Sequence, residues 1–313
     1  MNLSSKKSIE LLWQYVLLLL IFSAGFVGYV LKSSDWLRAI PGDLLDARFN
    51  SVILEHLFQW VTGIAPKLWS PSYFYPYENV LAFSDNHFGS GWVYILFRLG
   101  HLTREQAFLG WFIVGNVFNF WSSYYIFRRF NFSIIASGIG AFIYAFGLPA
   151  LSKEAHAQLL YRFAVPLSFF AMCQFLQRNR LADIVWTIFW LVIQFFCSIY
   201  LGVFLIYLLG ALFISFFFLN RKSHRKQFKN ILTKHFTIAH WISAILLIVL
   251  LSLLSALLYQ YQTVSSQYGF TRSVAEIQSM LPRVSSYLIS DHSTLSGWIG
   301  GYIPPFHMRQ EHQ

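Results

Sequence analysis

Two carboxylates three residues apart, Asp43 and Asp46, stand in the run Pro41-Gly42-Asp43-Leu44-Leu45-Asp46-Ala47-Arg48. On a helix that spacing brings both acids to one point, where they could take a proton from a hydroxyl or hold a divalent cation such as Mg or Mn. On spacing alone a plainer use comes first. Asp43 would be the N-cap of a helix and Asp46 an acid in its first turn, each worth about 1 kcal/mol or less. A second polar group, Ser84-Asp85-Asn86-His87, directly precedes a glycine-containing apolar segment. A third is Lys153-Glu154-Ala155-His156-Ala157-Gln158, with Arg162 beyond it. An arginine four residues into an apolar span faces a polar cavity, an ion pair or an anionic ligand, and Glu154 or Asp43 would serve as its structural partner.

Composition defines the elements that must carry these groups. Of 313 residues, 56% are hydrophobic and 12% charged, with 33 Phe, 17 Tyr and 11 Trp, and mean hydropathy is +0.51. A water-soluble core cannot absorb that many aromatics without leaving large apolar patches, so the chain reads as an all-α membrane protein. The formal net charge of +10 does not point to nucleic acid, because the basic residues punctuate the apolar runs. The cluster Arg221-Lys222-Ser223-His224-Arg225-Lys226 beside a span sets topology or touches anionic membrane lipid. Cys173 and Cys197 lie inside apolar runs without metal or redox spacing.

Spans of about 20 apolar residues cross roughly 30 Å of hydrocarbon. They are expected at 11 to 31, 106 to 127, 132 to 150, 159 to 177 and 236 to 258. The first exceeds a signal-peptide core and is read as an uncleaved helix. The run 181 to 219 would be about 58 Å long as one helix at about 1.5 Å per residue. It must fold back, and Ser198-Ile199-Tyr200-Leu201-Gly202 is the expected turn.

The result is a single domain, residues 1 to 313, with a bundle of about seven transmembrane helices, provided that 88 to 100 stays on the outer face. A long first outer loop covers 32 to 105 and an outer C-terminal segment covers 260 to 313. On this arrangement 12 of the 23 Lys and Arg fall in four short segments on one side. The positive-inside rule then places the N-terminus in the cytoplasm, with the C-terminus and the acid pair extracytoplasmic. Within the outer loop, Leu45, Phe49, Val52, Ile53, His56 and Trp60 recur at three- and four-residue intervals. They predict an amphipathic juxtamembrane helix from Leu44 to Trp60 with Asp43, Asp46 and Asn50 on one face.

The run from Pro41-Gly42-Asp43 through Asp46, Arg48, Asn50 and Glu55-His56, then Tyr75-Pro76-Tyr77-Glu78-Asn79-Val80-Leu81-Ala82-Phe83-Ser84-Asp85-Asn86, resembles the first outer loop of bacterial GT-C-type membrane glycosyltransferases. His156-Ala157-Gln158-Leu159 followed by Pro166-Leu167 is similar to a later element of the same proteins. The resemblance implies sugar transfer from a polyprenyl-phosphate-linked donor to a glycan, lipid or protein acceptor on the outer side of the plasma membrane. It places the catalytic carboxylate in the first outer loop, at Asp43 first and Asp46 second. The implied chemistry is inverting displacement at the anomeric carbon. A carboxylate deprotonates the acceptor hydroxyl, and a cationic side chain, or a divalent metal at Asp43 and Asp46, stabilises the departing lipid phosphate.

Arg162, His156 and Arg272 are the cations that the topology offers to that phosphate. Arg48, Asp85, Asn86, His87, Glu154 and Gln158 complete the expected substrate-binding set. Proteins of this family carry more than seven helices, so the chain reads as an N-terminal part of one. Two other readings stay open from sequence: a transporter or flippase for a lipid-linked polar molecule, and a non-catalytic membrane scaffold.

Overall fold

The computed structural model describes residues 3–151, 155–219 and 237–281, and among the described residues every regular element is helical. The basic cluster at 221 to 226, Glu154 and most of the C-terminal outer segment lie outside them. Among the described residues, five helical stretches are long and apolar enough to cross a membrane: Ser8–Leu31, Ile134–Leu151, Ala157–Arg178, Ile199–Leu219 and Ile238–Tyr268. Large apolar side chains such as Leu12 and Leu20, Phe204 and Phe217, and Ile245 and Ile248 stand exposed on the first and the last two. Such faces require a lipid solvent, which makes the chain a multi-pass membrane protein.

Helix α1 (Leu3–Gly25) runs on as a π-helical turn over Phe26–Leu31. Between that helix and the next long one lie α2 (Asp46–Val61) and α3 (Gly91–Leu99). At nine residues α3 is about 14 Å long, too short to cross. Next comes α4 (Arg104–Arg129), opened by a reciprocal cap in which Thr103 Oγ1 accepts from Gln106 N (3.3 Å) and Gln106 Oε1 accepts from Thr103 N (3.0 Å). It is long enough to span, but Asn116, Asn119, Ser122 and Ser123 lower its hydropathy. After it come α5 (Ile134–Phe146), α6 (Leu148–Leu151) and α7 (Ala164–Arg178). The large buried side chains Phe108, Trp111, Phe120 and Tyr161 form the main core, together with residues of α1 and α5.

Helix α8 (Leu181–Cys197) is apolar but has only 17 residues, and α9 (Ile199–Leu219) follows after one extended residue, Ser198. Phe195 packs on Gly202, and Leu191 shares a core with Leu205 and Leu209, so α8 and α9 form an antiparallel hairpin. The long run turns back where its length required. Last come α10 (Ile238–Tyr268) and the short α11 (Val274–Met280). The C-terminal end of α10 reaches the acid-bearing loop, with the Tyr268 hydroxyl donating to the Glu78 carbonyl (2.9 Å) and Tyr261 to that of Ser84 (2.7 Å).

The buried face of α2 differs from the predicted one. Leu45, Val52 and Trp60 are exposed, while Asn50, Ile53, Leu54, Glu55, His56 and Leu57 are buried. Polar anchoring explains the rotation. Glu55 accepts from the Tyr94 hydroxyl (2.7 Å), Arg98 Nε (3.0 Å) and Arg104 Nε (3.1 Å), which ties α2 to α3 and to the first turn of α4. A buried carboxylate needs such partners, so Glu55 turns inward and the apolar stripe rotates with it.

Candidate functional site: an acid–histidine pair on a buried amide scaffold

The first turn of α2 is fixed by Asp43, whose Oδ1 accepts from the backbone N–H groups of Leu45 (3.2 Å) and Ala47 (3.1 Å). These are orphan donors at a helix start, and Asp43 satisfies them as a cap does. Asp46, inside that turn, is used differently. Its Oδ2 accepts from His156 Nδ1 at 2.8 Å, and the two side chains are 46% and 43% exposed.

One turn along α2, Asn50 is almost completely buried. Its Nδ2 donates to the Asp46 carbonyl (2.7 Å) and to Gln158 Oε1 (2.9 Å), and its Oδ1 accepts from His87 Nε2 (2.6 Å). Because the amide nitrogen is already donating, the shared proton on the His87 side belongs to Nε2. His87 Nδ1 is left to the Ser90 hydroxyl at 3.5 Å, and its ring meets Trp111 edge to face. Burial pushes the His87 imidazole down to about 3, so the ring is neutral. Side chains from 46–50, 87 and 156–158 thus meet on one face of α2.

The segment that brings His156 and Gln158 is clamped to α4. A Cβ at Gly115 would lie 2.7 Å from the Tyr161 ring and 2.9 Å from Leu160, so only glycine allows so close an approach. Asn119 then bridges the clamp, donating to the Leu160 carbonyl (2.8 Å) and accepting from Arg162 N (3.1 Å), while the Tyr161 hydroxyl donates to the Trp111 carbonyl (2.7 Å).

Arg162 does not bond to Asp43. Its Nη2 donates to the carbonyls of Tyr144 (3.0 Å) and Ala145 (3.2 Å) at the end of α5, where the helix dipole favours a cation, and its guanidinium lies 5.6 Å over the Tyr144 ring. A cavity of about 10 Å³, room for roughly one water, is lined by both His156 and Arg162. Arg48 is placed differently again. Its Nη1 is buried on α2 with no hydrogen-bond partner.

Asp85 and Asn86 are drawn to another place, the α8–α9 turn. Asp85 accepts from Ser198 Oγ (3.1 Å) and from the Ile199 backbone N–H, Asn86 Nδ2 donates to the Phe195 carbonyl (3.4 Å), and Gly89 N donates to that of Phe196 (2.7 Å). Residues 85–89 are therefore a strap that satisfies the last carbonyls of α8 and the first N–H of α9. Gly89 lets it lie flat, since a Cβ there would come within 2.9 Å of Cys197 N and Ile193 O. Burial raises Asp85 to about 6, against the lowering effect of its Ile199 and Ser198 donors. Arg272 is exposed and pairs with Glu276 in α11 at 3.8 Å.

One Asp43 oxygen caps α2, one Asp46 oxygen holds His156, and among the described residues no three His, Cys, Asp or Glu side chains gather as a cation site. Asn50, Glu55 and Asn119 organise the site without having been assigned to it from sequence. The available signal was positional and held for Asn119 alone: an asparagine in an otherwise apolar helix needs a buried partner. No family model, no curated protein and no solved structure matches this chain.

Proposed function

We propose that the chain is a GT-C-type glycosyltransferase domain that moves a sugar from a polyprenyl-phosphate donor to an acceptor hydroxyl, with Asp46 and His156 together as its base. One observation carries this reading: a titratable pair half open to solvent stands on a scaffold that is buried and hydrogen-bonded. Even as a full ion pair, a contact that exposed would add only about 0–1 kcal/mol of stability. The support beneath it therefore serves position, as a reactive group requires.

With Nδ1–H directed at Asp46, His156 keeps Nε2 as its lone-pair nitrogen. The carboxylate fixes that tautomer and stabilises the imidazolium once it forms. In the proposed step the acceptor hydroxyl gives its proton to Nε2 while its oxygen bonds to the anomeric carbon from the face opposite the phosphate. The bond from that carbon to the phosphate oxygen breaks, its electron pair leaves with the lipid phosphate, and configuration inverts. Arg48, with an unpartnered nitrogen, and Arg162 receive the phosphate charge. Asp43 anchors the turn that aims Asp46, and no step runs through a metal.

On the same reading the bundle crosses the plasma membrane seven times. Helices α4 and α8 join the five long apolar spans, the N-terminus is cytoplasmic and the acid-bearing face is extracytoplasmic. In support, the start of α4, the α8–α9 turn and the end of α10 all meet residues 55–89.

Membrane vesicles holding the purified chain and supplied with labelled polyprenyl-phosphate sugars together with hydroxyl-bearing glycan and lipid acceptors are expected to form glycosylated acceptor and free polyprenyl phosphate in equal amounts, and Asp46→Asn should abolish both. Movement of the intact lipid-linked sugar between leaflets without release, in wild type and variant alike, would replace the enzyme with a transporter.

A further inference from the structure

Toward the end of the bundle opposite the Asp46–His156 pair, the last turns of α4, the length of α7 from Leu167 to Arg178 and the first half of α8 line a second cavity, of about 300 Å³. Its lining is chemically two-sided. Gln174 Oε1 and Asp183 Oδ2 are buried acceptors with no hydrogen-bond partner. Arg129 and Arg178 line the same space, and among the described residues neither makes an ion pair. Arg129 is held beside two rings, 5.6 Å from Phe170 and 6.0 Å from Tyr125. Two unsatisfied acceptors and two guanidinium groups around one space ask for a ligand with donor hydrogens and negative oxygens together.

We propose that this cavity binds the headgroup of a phospholipid that carries a primary amine beside its phosphate, as in phosphatidylethanolamine. The ammonium donates to Gln174 Oε1 and Asp183 Oδ2, and the phosphate oxygens accept from Arg129 and Arg178. A membrane source is favoured over a soluble one by the rim. Tyr125 and Trp186 stand exposed there and Trp190 lines the cavity beside them, the side chains that settle at the level of lipid headgroups. The site is independent of the sugar-transfer reading, sharing no residue with it.

The test is native mass spectrometry of the full chain released from micelles with equal amounts of phosphatidylethanolamine, phosphatidylcholine and phosphatidylglycerol of identical acyl chains. The quaternary ammonium of phosphatidylcholine has no hydrogen to donate and phosphatidylglycerol has no amine. Phosphatidylethanolamine should therefore be retained about tenfold better than either, the size expected for hydrogen bonds to a charged group. Asp183→Asn should remove most of that preference, and Arg178→Gln, at an exposed position, should weaken retention of all three lipids. Equal retention of the three by the wild-type chain would overturn the proposal, as would an unchanged preference in a folded Asp183→Asn variant. Displacement by soluble phosphorylethanolamine at a concentration equal to the lipid's would overturn the membrane source.

Discussion

Asp46 and Asp85 belong to the same stretch between α1 and α4, yet their surroundings are opposed. Asp46 is half exposed, gives one oxygen to a histidine that is itself half exposed, and leaves the other without a hydrogen bond among the described residues. Asp85 is 1% exposed, with both oxygens committed to the turn between α8 and α9. A carboxylate of the second kind cannot approach a substrate without dismantling the hairpin it caps. One of the first kind loses little by changing partners. The contrast separates acids that hold this fold from acids free to act, a distinction that residue type and spacing do not carry.

The largest expected effect tests the buried side. His87 is pushed from 6.5 down to about 3, so protonation favours the unfolded chain. Its contribution is full above about pH 6.5 and is lost as pH falls toward 3, on the order of 5 kcal/mol in all. Thermal unfolding in micelles should show stability falling with acid over that window, and His87→Asn should flatten the slope. An unchanged slope would remove His87 from the scaffold's interior.

The exposed side comes next. Asp46→Asn should lower sugar transfer about 10²- to 10⁴-fold, the range for loss of a general base, with little change in melting temperature. Asp85→Asn, compared at equal folded fraction, should leave transfer within a few fold. Reversal of those two outcomes would invert the comparison.

Asp85 also has a pH signature opposite in sign to that of His87. Its carboxyl is raised from 3.8 to about 6, so the folded state holds the proton more tightly than the unfolded chain. That stabilisation is present below about pH 3.8 and lost as pH rises toward 6, on the order of 3 kcal/mol. The difference in stability between wild type and Asp85→Asn across pH 4 to 6 isolates it from His87. The smallest effect belongs to Asp43→Ala, which removes a helix cap worth about 1 kcal/mol. A modest fall in melting temperature is expected, together with a partial loss of transfer as the turn carrying Asp46 loosens.

Much of the architecture was legible because length and hydropathy act locally. The run 181 to 219 exceeded any single crossing, so a turn near Ser198 was forced. Pro41-Gly42-Asp43 announced a helix start. The face of α2 was not legible, because Glu55 and Asn50 turn inward only when Tyr94, Arg98, His87 and Gln158 arrive from elsewhere.

The pairing of Asp46 with His156 spans 110 positions and depends on the glycine at 115 that lets residues 157–161 lie on α4. Periodicity reports neither. The acids and cations between the long helices were readable as a set, while their division into strap, cap and exposed pair followed from burial and partners. Asp85 and Asn86 had local neighbours like those of any loop site, and only the unsatisfied ends of α8 and α9 explain where they went.

The most direct measurement is a double-mutant cycle on sugar transfer with Asp46→Asn, His156→Gln and the combined variant, each assayed on the same polyprenyl-phosphate donor in vesicles. If the two residues act as one base, each single change costs a hundredfold or more by the estimate above, and the combined variant is no slower than the worse single. Independent, multiplying losses, or wild-type transfer in either single variant, would contradict the account.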